Sequence, residues 1–69
     1  MEEQISVFVN GEAVQIHRGM KVKHALIASS PALHRAAEEG EVFVVDQRGF
    51  RVGLDGSLQE GAQIFTRPI

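Results

Sequence analysis

Cysteine is absent from the 69 residues. That excludes disulfide staples, thiolate zinc sites and cysteine-ligated iron–sulfur clusters. No apolar run approaches the roughly 20 residues that a membrane-spanning helix needs. The opening Met-Glu-Glu-Gln is acidic, where an export signal starts basic and then turns apolar. These absences lead to the expectation of a soluble, cytoplasmic protein with no membrane partner. The formal net charge is only −2, which leaves no electrostatic footprint for a general nucleic-acid binder.

What is present is pattern. A chain of 69 residues reads as one domain, residues 1–69, and at this size buries only about 60% of the surface its unfolded chain exposes. Ile5, Val7 and Val9 alternate with Ser6 and Phe8, predicting a strand with apolar weight on both faces. Asn10-Gly11 follows, the pair best suited to the positive φ angles of a type I′ turn. Val14 and Ile16 then alternate with Ala13, Gln15 and His17, so residues 5–17 read as a hairpin.

Val22, Ala25, Leu26 and Ser29 fall at helical spacing and predict one main helix from Val22 to Ala28 or Ser29. Met20 is placed to pack beneath its start. Lys21 stands at the N-cap, a position for which lysine is poorly suited. Ser30-Pro31 predicts a restart, with a serine cap and proline at the first helical position. The short second segment that follows buries Leu33, Ala36 and Ala37 and stops at Gly40.

The β-branched run from Val42 to Val45 predicts a central strand. Phe50 and Val52 predict a short returning strand after a turn at Asp46–Gly49. Two further turn-rich stretches lead to a last strand from Ala62 to Thr66, with Ile64 inward. Pro68 is expected to end pairing there. A helix between two hairpin-like halves gives an α+β roll whose first and last strands are neighbours in mid-sheet.

Chemistry is sparse. His17, His24 and His34 are scattered across different predicted elements, with no carboxylate at ligand spacing. Ser29, Ser30 and Ser57 lack the partners of a nucleophile, and Asp46 and Asp55 sit where turns favour aspartate. Gly49, Gly53 and Gly56 lie near Arg48 and Arg51, but not at phosphate-loop or dinucleotide spacing. No catalytic, metal-binding or cofactor-binding residue is assigned, and no enzyme activity is expected.

Val-Asn-Gly-Glu-Ala-Val-Gln-Ile, then Arg-Gly-Met-Lys-Val-Lys-His-Ala-Leu, then the late Leu58-Gln59-Glu60-Gly61-Ala62-Gln63-Ile64 occur in that order. Together they resemble the β-grasp, or ubiquitin-like, superfamily, and within it the small sulfur carriers of thiamine and molybdopterin biosynthesis. The resemblance implies a mixed sheet of four to five strands with the helices across one face. Sulfur carriers end in Gly-Gly, whose carboxylate is adenylated and converted to a thiocarboxylate. This chain ends Thr66-Arg67-Pro68-Ile69 and has no adjacent glycines.

The body of a carrier without its reacting tail points to a non-enzymatic module that binds another protein through the open sheet face. The kinship makes an adenylating or cofactor-biosynthesis enzyme the natural partner. Phe8 points away from Ile5, Val7 and Val9. Phe43 and Val45 share its face, depending on register, and Arg48 or Arg51 rims it. Phe8, Phe43, Arg48 and Arg51 are therefore the expected partner-binding residues, the alternative being that Phe8 belongs to a two-sided core. The alternative is a divergent sulfur carrier that reacts at the Ile69 carboxylate. A third reading gathers Arg18, Lys21, Arg48 and Arg51 around an anionic ligand.

Overall fold

A computed structural model describes residues 3–69; the acidic opening at Glu2 lies outside them. Its elements run β1 (Gln4–Val9), β2 (Glu12–His17), α1 (Val22–Ser29), α2 (Pro31–Glu38), β3 (Val42–Asp46), β4 (Arg51–Val52) and β5 (Gln63–Pro68). The strands form one five-stranded mixed sheet in the order β2-β1-β5-β3-β4. The fold is α+β. β1 and β5 lie side by side and parallel, while the other neighbouring pairs are antiparallel.

Local chemistry accounts for most boundaries. Asn10 and Gly11 both take positive φ, 53° and 84°, as the hairpin turn requires. Lys21 stands at the N-cap of α1 with no side-chain cap of its own. An ammonium has no lone pair to offer, and His24 answers instead: its Nδ1 accepts the Lys21 N–H at 3.0 Å. α2 closes in a Schellman arrangement, in which Gly40 N–H donates to Ala37 O and Glu41 N–H to Ala36 O. Gly40 supplies the left-handed conformation, with φ 78°.

The core is a single cluster on the helix-bearing face. Ile5, Val7, Val9, Ile16, Val44 and Ile64 come from the sheet, and Val22, Ala25 and Leu26 from α1. Leu33 and Ala37 of α2 pack against it from the side.

Three expectations need correction. The second helical segment is not the shorter one: α1 and α2 both have eight residues. α2 nevertheless buries none of them fully, because only a narrow Leu33–Ala37 stripe meets the core. Ser30 is the N-cap of α2, but its hydroxyl makes no capping bond; its backbone carbonyl accepts from Leu33 and His34 instead. Pro68 does not end pairing, since it lies opposite Val42 within β5.

The direction of the backbone groups explains Pro68. Ile64 O accepts from Asn10 N–H, on the β1 side, and Thr66 N–H donates to the Asn10 side chain on that same side. Ile69 N–H donates to Glu41 O, on the β3 side. By alternation the ring nitrogen of Pro68 faces the β1 side, where β1 has already ended, so no ladder bond is lost. Pro68→Ala is therefore expected to leave the urea midpoint almost unchanged. Arg67→Pro removes a donor aimed at Phe43 and is expected to cost roughly 2–3 kcal/mol.

Candidate functional site

The helices cover one face of the sheet and leave the other open. Cross-strand partners share a face, so the pairings identify what lies on the open side. Phe8 opposes Ala13 and Gln63. Val45 opposes Phe65 and Arg51, and Phe43 opposes Arg67. Phe8, Phe65, Val45 and Phe43 thus form a diagonal apolar row across β1, β5 and β3, on the face opposite the core.

The row is half-covered by its own arginines. The Arg51 guanidinium carbon lies 4.9 Å from the centroid of the Phe43 ring, and that of Arg67 lies 5.9 Å from the Phe65 centroid. Both distances are within cation–π range. Neither arginine has an ion-pair partner among the described residues. Val45 is only 5% exposed although no helix lies over its face; the surrounding rings and long side chains shelter it. The three phenylalanines are half-buried. The result is an apolar strip with two cationic groups available for hydrogen bonding, which suits carboxylates flanking an apolar anchor.

The structure brings together three of the four partner-binding residues read from the sequence: Phe8, Phe43 and Arg51. Arg48 is elsewhere. Asp46 Oδ1 accepts from both Arg48 N–H, at 2.8 Å, and Phe50 N–H, at 3.0 Å. This tight turn places Arg48 beside an open groove of about 450 Å³ that it lines with Ser57, Glu60 and Gln63, at the Gln63 end of the row. Phe65 and Arg67 also lie on this face, beyond the residues expected from the sequence, although the sequence carries a signal for them. With Ile64 inward, a period of two puts Phe65 and Arg67 on the opposite face.

The anion reading loses its geometry. Arg18 follows β2 and Arg51 lies in β4, and these strands are opposite edges of the sheet. The start of α1 is also occupied: Val22 and Lys23 donate their N–H groups to Gly56 O and Leu54 O, each at 3.0 Å.

The other candidates have structural partners. Asp55 pairs with Lys23 at 3.2 Å, and His34 lies 3.5 Å from Glu38. Among the described residues no three histidine or carboxylate side chains converge on a metal-sized site, and no helix is long and apolar enough to cross a membrane. Ile69 is 76% exposed, while its backbone N–H is held by Glu41 O at 3.2 Å. Compared with protein-family models, curated proteins and solved structures, the chain finds no match in any of the three.

Proposed function

We propose that this chain is a non-enzymatic β-grasp module that docks another protein on the helix-free face of its sheet. A mixed five-stranded sheet with the helices packed on one face supports this reading. One observation carries the functional reading: Phe8, Phe65, Val45 and Phe43 in a row, with Arg51 and Arg67 stacked over two of the rings. Aromatic and arginine side chains are enriched where proteins bind each other, and clustered ones supply most of the affinity. An adenylating or cofactor-biosynthesis enzyme is the partner that the kinship favours.

Site-directed photo-crosslinking in the native cytosol tests this. A photoreactive residue at Gln63, on the docking face, is expected to capture one stoichiometric protein. The same probe at Ala32, on α2, is expected to capture none. Equal capture from both positions, or from neither, would refute the reading. The alternative of a divergent sulfur carrier rests on the exposed Ile69. On that reading residue 69 must first leave Glu41, and intact mass after incubation with ATP and sulfur donor must show oxygen-for-sulfur exchange at the carboxylate. An unchanged mass removes it.

A further inference from the structure

The sheet ends on two unlike edges. β4 has only two residues, Arg51–Val52, and is too short to recruit a partner strand. β2 has six, Glu12–His17, paired with β1 in unbroken register. It contains no proline, lysine or bulge, the usual devices that protect an edge.

Hydrogen-bond alternation shows which groups that edge presents. Ser6, Phe8 and Asn10 direct their N–H groups toward residues 60–64, to Glu60 Oε1, Ala62 O and Ile64 O. Ile5, Val7 and Val9 therefore face β2, where their partners are Ile16, Val14 and Glu12. Arg18 N–H, bonded to Glu3 O at 2.6 Å, continues the same alternation. Ala13, Gln15 and His17 consequently turn their backbone groups outward. Of these, the His17 carbonyl already accepts from Met20 N–H, and a carbonyl has a second lone pair.

On the core-side face, the side chains along this edge read Glu12, Val14, Ile16 and Arg18: acid, aliphatic, aliphatic, base. That order complements itself when reversed about Gln15. We propose that the chain forms a two-fold symmetric dimer by antiparallel pairing of β2 with β2 of a second copy, centred on Gln15. Glu12 then opposes Arg18 of the other copy and Val14 opposes Ile16, each twice, with Gln15 hydrogen-bonded to its own equivalent. Sliding the strands either way to the next allowed register opposes Glu12 to Ile16, or Val14 to Arg18.

A strip beside the edge supports the second copy. Met20, His24, Ile27 and Ala28 form a groove with Ile16 and His17, and Ile27 is 43% exposed. The pairing is isologous and the β4 edge is blunt, so assembly closes at two copies. The two-fold axis is perpendicular to the sheet, so both phenylalanine rows face the same side. The inference uses a different surface from the docking face and stands or falls without it.

Sedimentation velocity over a concentration series, run to the millimolar range, provides the test. The native chain is expected to move reversibly from 7.6 kDa to twice that mass. Gln15→Pro removes an outward N–H and no bond to β1, so it is expected to stay monomeric with an unchanged far-UV spectrum. Glu12→Arg and Arg18→Glu are each expected to raise the dissociation constant about tenfold, and the double exchange to restore it. A native chain that remains monomeric throughout would overturn the proposal. So would a dimeric Gln15→Pro, or a double exchange no better than its parents. If Gln15→Pro does not fold, the exchange series decides.

Discussion

Leu26→Ala is expected to leave the chain predominantly unfolded at 25 °C. Leu26 is 0% exposed and among the largest fully buried side chains. It lies in α1, a helix of eight residues, too short to persist in water without packing. Truncating such a leucine removes transfer energy and leaves a cavity, costing about 3–5 kcal/mol. A single core at this chain length rarely supplies more than about 3–5 kcal/mol in total. The loss therefore equals the whole margin.

Far-UV circular dichroism with urea titration, at low protein concentration, is the measurement. The native baseline should be absent or reached only with stabilising osmolyte. Leu26→Met keeps the volume and should cost less than about 1.5 kcal/mol. A cooperative transition in Leu26→Ala close to the native midpoint would mean that the α1–sheet cluster does not hold the fold. Low concentration matters because pairing through β2 would add stability by mass action.

How far the sequence revealed this arrangement depended on the range of each signal. Asn10-Gly11, Pro31 and Gly40 act within a turn, and each is where its backbone chemistry requires it. The alternation of Ile5, Val7 and Val9 identified the core face of β1 directly. The run Val42–Val45 has no alternation to read because both its faces are apolar: Val44 enters the core, while Phe43 and Val45 serve the other side. Pairing Phe43 with Arg67 and Val45 with Phe65 required the register of β5 against β3. Turn-rich residues 53–62 separate those strands and leave that register unspecified in the sequence. Which of Arg48 and Arg51 lies over a ring is unreadable for a related reason, since the two hydrogen bonds accepted by Asp46 shape the turn between them. The His24 bond to Lys21 was hidden because histidine is an uncommon N3 acceptor. The residue type of Pro68 signals a stop, whereas the side its nitrogen faces follows from the alternation along β5, and the free space there from the stagger of β1 against β5.

The proposed docking face meets its sharpest test in a comparison of two phenylalanines. Phe50 is the more conspicuous, 66% exposed in the turn before β4. Phe65 is half-buried at the centre of the row, beneath Arg67 and opposite Val45. Ranked by exposure alone, Phe50 would be the anchor. Central, partly sheltered aromatics are instead the ones that dominate binding, because their surroundings exclude water when a partner arrives.

For the protein captured from the Gln63 position, Phe65→Ala is expected to weaken affinity by at least about 2 kcal/mol, roughly 30-fold. Phe50→Ala should change it less than about twofold, as a residue outside such a cluster does. The Phe65 ring lies outside the helix-packed core, so its removal should cost the fold only about 1–2 kcal/mol, and the variant should still melt cooperatively. Arg67→Lys separates the two contributions of that arginine: the charge remains, while the flat face over the ring and the paired donors are lost. Its affinity should fall between native and Phe65→Ala. Titration calorimetry on the four proteins reads all of this at once. If Phe50→Ala abolishes binding and Phe65→Ala does not, the partner reads the β3–β4 turn, and the phenylalanine row is a second small core stabilising the sheet from its other side.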